Sequence, residues 1–195
     1  MGLRETKKAG THAKLVDAAL CLIGERGYDA TSIEDIVNFA GVSKRTFFRY
    51  FSSKDDILVE WIGGFGEQVC ASLESRPTSE EPIVALQSAL IHSVKLYESE
   101  YFLSMPLERA IHDSPAIMGR KLLKFKLCAE SVGRELAKRM KMGADLYFAP
   151  SVIAHCMIAV LLGISDTWGV HGSKGELSTL LAKAFGRIKI EINAL

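Results

Sequence analysis

Between Gly41 and Lys54 the chain reads GVSKRTFFRYFSSK, with four cations and no carboxylate. Lys44, Arg45 and Arg49 carry donors that suit guanine O6 and N7 in a major groove, and Thr46 suits a base edge or a thymine methyl. The hydroxyls of Ser43 and Tyr50 suit phosphate oxygens. Phe47 and Phe51, four residues apart, share the opposite face and would dock on neighbouring helices. A merely solvated helix face can carry the same charges. Here a turn, two caps and an acid-free face coincide, which is the pattern of a nucleic-acid reader.

Such a run must be held by other elements, and the residues before it supply them. Thr31 and Glu34 stand in the S/T-x-x-E spacing of a capping box, which starts a helix. Ile33, Ile36, Val37 and Ala40 recur at helical spacing, and Gly41 can take the left-handed conformation that ends one. Val42 plugs the corner and Ser43 caps the next helix. Two short helices around a glycine turn make a helix-turn-helix.

These residues, Thr31-Ser32-Ile33, Ile36, Ala40-Gly41-Val42-Ser43, Thr46-Phe47-Phe48, Tyr50-Phe51 and Lys54, resemble the N-terminal DNA-binding signature of TetR-type bacterial transcriptional regulators. The resemblance covers roughly residues 10 to 60, about a third of the chain. It implies a preceding helix, for which Leu15, Ala19, Leu22 and Ile23 form the stripe and Gly27 the end. Carried over by position, it implies that Lys44, Arg45, Thr46 and Arg49 approach bases, while Thr31, Ser43, Phe48, Tyr50 and Lys54 lie near the sugar-phosphate backbone. Arg45 departs from the many relatives with a small residue there and adds a donor. Lys54 opens a predicted helix, where exposed N–H groups and its own charge favour an anion. Lys7, Lys8 and Lys14 lie in or beside a polar tail, either a flexible arm on phosphate or simple disorder.

The 195 residues, 48% of them hydrophobic, suffice for a core, and a net charge of +1 means that any nucleic-acid affinity comes from local clustering. Cys21, Cys70, Cys128 and Cys156 are widely spaced, with no metal-like pattern, and read as buried reduced thiols. No metal or cofactor is expected. There is no cationic lead followed by an apolar signal core, so a cytoplasmic location is expected. The run Val152 to Ile164 falls short of the roughly 20 apolar residues of a membrane span. Nucleophile elbows, dinucleotide and Walker glycine loops and H-E-x-x-H are all missing, which argues against an enzyme.

Helical periodicity continues almost to the end, so the expected class is all-α, with about nine helices. Residues 1–54 form the arm and DNA-binding domain, and residues 55–195 a ligand-binding and dimerisation domain. Ser52 and Ser53, each three residues before an aspartate, cap a helix running to about Ser75. Pro82 starts another, with Ile83, Leu86, Leu90, Val94 and Tyr97 inward. Breaks fall near Pro106 and at Ser114-Pro115. A long helix from Pro115 to about Met142 turns Leu122, Phe125, Cys128, Ala129, Val132 and Leu136 inward. Two terminal helices follow, roughly Pro150 to Gly169 and Lys174 to Ile192. The first is apolar nearly all round, and the second carries Leu177, Leu181, Ala184 and Ile188. Together they either complete an intramolecular core or pair with a second copy; the family resemblance also implies a homodimer through them, reading a palindromic operator in double-stranded DNA.

Trp61, Phe65, Phe102, Met105, Arg109, His112, Phe125 and Trp168, with Met118, are the candidate walls of a small-molecule effector pocket. Arg109 and His112, three apart, either hold an anion such as a carboxylate, phosphate or thioester-linked group, or pair with Glu108 and Asp113 at a surface. The stretch from His112 to Arg139 is also similar to a TetR C-terminal branch described as acyl-CoA-like ligand-binding. The resemblance implies a repressor released from its operator by an effector. A transcriptional activator and a ligand-independent DNA-binding or adaptor protein are the alternatives.

Overall fold

A computed structural model describes residues 3–100, 105–141, 148–171 and 175–188, and these residues form nine helices and no strand. The all-α expectation holds. Helix α1 (Leu3–Arg26) buries Leu15, Ala19, Leu22 and Ile23 and stops at Gly27, whose φ of 89° needs a glycine. The backbone is helical from Leu3, so the stretch holding Lys7 and Lys8 forms the first turns of α1 rather than an arm.

Helix α2 (Ile33–Ala40) begins one residue later than the expected box. Ser32 Oγ accepts from the Asp35 N–H at 3.1 Å and the Ser32 N–H donates to Asp35 Oδ2 at 2.9 Å. Both Thr31/Glu34 and Ser32/Asp35 fit the spacing, and burial decides between them. Thr31 is fully buried and its hydroxyl donates to the Gly27 carbonyl at 2.8 Å. Gly41 has φ 67°; its N–H reaches Asn38 O at 3.2 Å while that of Val42 reaches Val37 O at 2.9 Å, a Schellman closure.

Helix α3 (Lys44–Phe47) is short, and i−3 bonds from the Arg49 and Tyr50 N–H groups tighten the chain into α4 (Lys54–Glu74). Ser53 and Asp56 form the capping box of α4, as the spacing allowed. There follow α5 (Pro82–Glu100), α6 (Met105–Asp113), α7 (Pro115–Arg139), α8 (Phe148–His171) and α9 (Leu177–Arg187). Helix α4 packs on α1, α5 and α7, and so joins the N-terminal helices to the body. One apolar cluster runs from Leu15 through Phe47, Phe65 and Leu136 to Phe185.

Leu122, expected inward, is 50% exposed. The inward stripe of α7 runs through Ile117, Lys121, Phe125 and Cys128, so a lysine takes the register given to the leucine. Helix α8 extends beyond both expected ends. With a mean hydropathy of 2.0 over its most apolar 18 residues, the helix is long and apolar enough by composition to cross a bilayer, but it packs against α6, α7 and α9, and 44% of that window is buried. Helix α9 starts at Leu177 and stops at Arg187, and the expected ends at Lys174 and Ile192 lie outside the described residues.

Candidate nucleic-acid interface and internal cavity

The corner between α2 and α3 is braced from below. Phe47 and Phe51 are buried with ring centroids 5.8 Å apart, and the His12 ring of α1 lies 5.0 Å from Phe51. Ser43 Oγ accepts from the Thr46 N–H at 3.2 Å, and the two hydroxyls are 3.0 Å apart. On the outer face Lys44, Arg45 and Arg49 are exposed, Phe48 is 55% exposed, and Thr46 and Tyr50 are half-buried. Arg49 lies over the Tyr50 ring, 5.1 Å from its centroid. These residues, with Ser43, form one continuous outward patch.

Folding qualifies the acid-free reading of this face, because Lys44 is ion-paired with Glu34 of α2. Two expected backbone contacts fall away. Thr31 is enclosed, as described above. The Lys54 ammonium donates to the carbonyls of Tyr28 at 2.5 Å and Thr31 at 2.8 Å and sits 3.8 Å from the centre of the Tyr28 ring. Burial lowers the Lys54 pKa, against the opposing pull of Asp29 and Asp55. Lys54 is a clamp on the loop before α2, not a free phosphate donor. Tyr28 is tied to the same place by a hydrogen bond to Asp55, and burial first, then that bond, raise its phenol above the ordinary value.

In the body, Trp61, Phe65 and Phe125 do converge, lining an internal cavity of about 30 Å³ with Ile62, Val94, Tyr97, Leu161 and Leu177. That volume admits a water or two. Phe65 stacks on Phe125 at 5.5 Å and meets Tyr97 edge-on at 5.2 Å. The other candidates lie elsewhere. Trp168 is buried, but its indole donates to Gly175 O at 2.9 Å and ties α8 to the start of α9. Met105 and Arg109 border an open cleft between α6 and the loop after α1, where Arg109 reaches Val170 O at 3.4 Å. His112 is exposed, 3.3 Å from Asp113, and neither it nor Arg109 lines the internal cavity. Phe102 lies outside the described residues.

The polar group of the cavity is one that the sequence reading passed over. Lys121, 1% exposed, places its ammonium 2.6 Å from Glu108 Oε2, 3.3 Å from Ser165 Oγ and 3.6 Å from Asp166 Oδ1. The available signal was a charge four residues from both Ile117 and Phe125, in core register. Gly169 lets α8 approach: a Cβ there would stand 2.7 Å from that of Glu108.

Comparison with known proteins agrees with this architecture. Residues 15–61 match the model of bacterial regulatory proteins of the tetR family, and residues 80–192 match that of the MftR C-terminal domain. The HTH-type transcriptional regulator TcmR of Streptomyces glaucescens is 30% identical over 173 residues, spanning 86% of this chain and 76% of its own length. A TetR transcriptional regulator from Rhodococcus sp. RHA1 superposes with a TM-score of 0.66 at 13% identity, over 96% of this chain and 100% of the other. Thermus thermophilus FadR, a TetR-family transcriptional repressor solved with lauroyl-CoA, gives 0.59 at 20% identity, over 94% and 98%. With both halves matched in order, the chain belongs to the TetR family of DNA-binding bacterial transcriptional regulators.

Proposed function

We propose that this regulator is a cytoplasmic homodimeric repressor that leaves a palindromic operator when a small molecule binds within residues 55–195. The observation that carries the DNA half is the outward patch of Arg45, Thr46, Phe48, Arg49 and Tyr50 on a corner locked by Gly41 and braced by Phe47 and Phe51. Arg45, Thr46 and Arg49 reach bases, with Lys44 exchanging Glu34 for DNA. Ser43, Phe48 and Tyr50 stay with the backbone.

The dimer is supported by α8 and α9. On α8 the exposed residues Cys156, Ala159 and Gly163 are small and uncharged, with His155 and Thr167 beside them, and on α9 Ala182 and Gly186 lie exposed next to Lys183 and Arg187. Part of this apolar helix stays exposed in a single chain, and pairing with a copy would cover it. The effector half is supported by the aromatic cavity and by the lauroyl-CoA complex of the FadR neighbour. An effector acts only through different affinities for the two operator-spacing states, and a coupling of about 1 to 3 kcal/mol alters operator affinity roughly 5- to 150-fold. The test is a mobility shift with DNA upstream of its own gene, beside Lys44→Ala with Arg45→Ala and a mass measurement in solution. Loss of the shift in the variant and a twofold mass are expected. A monomer, or undiminished binding by the variant, refutes the proposal.

A further inference from the structure

The small cavity is not isolated from the surface. Trp61 and Tyr97 line both it and a groove of about 500 Å³ between α1 and α4, bordered by His12, Asp17, Glu60, Glu67 and Gln68. The two rings lie 5.3 Å apart, with the Tyr97 hydroxyl donating to the Trp61 carbonyl at 3.2 Å. Opposite Tyr97 is Gly64, where a methyl group would come within 3.2 Å of the phenol oxygen. A pair of aromatic side chains is thus the partition between a space too small for a metabolite and one large enough. That partition is also unfinished. Trp61 is 7% exposed, and its Nε1 is buried with no hydrogen-bond partner, a state that buried donors seldom keep.

The charges along the path have one sign in excess. At the groove Asp17, Glu60 and Glu67 face a single histidine, His12, which Glu60 already holds at 2.6 Å. At the inner end the Lys121 ammonium is shared between Glu108 and Asp166. The described residues lining the two spaces therefore offer no uncommitted cation to an anionic guest. The faces of Trp61, Phe65, Tyr97 and Phe125 attract positive charge.

We propose that cavity and groove are two halves of one effector site gated by Trp61 and Tyr97, and that it takes an aromatic cation bearing a hydrogen-bond acceptor. This deepens the effector reading above and rests on it. The flat body displaces the partition and fills the aromatic space, its acceptor takes the Trp61 N–H, and its charge stays among the groove carboxylates. Coenzyme A thioesters, with several phosphate charges, meet repulsion at the same mouth. Because the groove is walled by α1 on one side and α4 on the other, a guest there pushes the DNA-binding helices against the body.

Rhodamine 6G and fluorescein share a xanthene skeleton and differ in the sign of their charge at pH 8, so fluorescence anisotropy with the intact protein separates the cases. Rhodamine 6G binds, and fluorescein and lauroyl-CoA do not compete. Asp17→Asn combined with Glu67→Gln, both exposed, weakens rhodamine 6G about tenfold. Trp61→Phe, which keeps the ring but not the donor, weakens it about threefold to tenfold. Equal affinity for fluorescein, or rhodamine 6G binding untouched by the paired substitution, overturns the proposal. An intact operator shift in that event leaves the DNA-binding reading standing, whereas loss of the shift in the unmodified protein strikes the functional reading itself.

Discussion

Removing the Lys121 ammonium is the most demanding test of how the body is held together. Lys121 is 1% and Glu108 7% exposed, and their 2.6 Å contact joins α7 to α6 beside the cavity. In Lys121→Met the methionine fills much of the lysine volume but leaves the Glu108 carboxylate buried and without its partner. Breaking a buried pair from one side costs about 3–5 kcal/mol, a large fraction of a total stability of about 5–15 kcal/mol. Replacing Lys121 and Glu108 together removes their desolvation cost with their attraction and gives up only the looser 3.6 Å contact to Asp166, whose side chain is 41% exposed, so Lys121→Met with Glu108→Leu should return to wild-type stability or exceed it by about 1–4 kcal/mol. Urea unfolding followed by circular dichroism measures both variants, at one fixed protein concentration because an associating protein's stability depends on it. A single variant within about 1 kcal/mol of wild type would show that the pair is solvated in practice. A double variant as weak as the single would show that the charges, not their mismatch, hold α6 to α7.

Lys54→Gln should lower stability by about 2–3 kcal/mol, because two charge-assisted bonds to carbonyls are lost, and leave the salt slope of operator binding unchanged. That slope should be no steeper than about −5 for a dimer, since Lys44, Arg45 and Arg49 of the two subunits bring about six cations to the DNA and each displaces at most about one condensed counterion, whether it meets a base or a phosphate. For Asp56, burial raises the carboxyl, but hydrogen bonds from Arg120 and from the Ser52 and Ser53 N–H groups outweigh it and the net shift is downward. A depressed folded value means that this stabilisation is complete above the unfolded value of about 3.9 and fades as pH falls through the lower folded one; Asp56→Asn should flatten that part of an acid-unfolding curve. Burial, with a smaller push from Cys70, raises the Cys128 thiol to about 12, so a maleimide at pH 8 should leave it unmodified in the folded protein and label it once urea has unfolded the chain, as read by mass spectrometry. Arg120→Gln should change the effector response of a mobility shift by less than about fivefold, whereas Gly66→Val should abolish it.

The N-terminal third was legible because its signals are local. A glycine after an apolar stripe, a serine before a helix and two phenylalanines four apart each act within one turn, and the folded corner has all three. Thr31 and Lys54 were misplaced because their roles depend on a third partner, the loop at Gly27 and Tyr28, which spacing along one helix does not reveal. The body was less legible for the same reason. Trp61, Phe65 and Phe125 were found because aromatic residues in core register have few other places to go. Arg109 and His112 share a helix with Glu108, yet α6 turns Glu108 inward and leaves both of the other side chains outside. Which third of a short helix is buried depends on its crossing with α7 and α8, and Gly169 fixes that crossing through a contact 61 residues away from Glu108.

Helix α7 connects the cavity to the DNA-binding half through consecutive residues. Lys121 reaches Glu108 and Ser165 inside, while Arg120 donates to Asp56 Oδ1 at 2.8 Å, on the carboxylate whose other oxygen caps the first turn of α4. The ion pair alone is too weak to carry the signal: Arg120 is 47% exposed, and such pairs contribute about 0.2–1 kcal/mol against the roughly 1–3 kcal/mol that a useful coupling needs. The remainder has to come from packing. Where α4 and α7 meet, Gly66 leaves room for Cys128 so tightly that a Cβ would stand 3.1 Å from that of the cysteine, and one turn away Phe65 stacks on Phe125 at the cavity wall. Helices this close cannot shift independently, since a packed interior passes on displacement rather than absorbing it. A guest that moves Phe125 therefore moves the whole α4–α7 pair, and the Arg120–Asp56 contact sets the register in which the first turn of α4, and with it the corner bearing Arg45 and Arg49, follows.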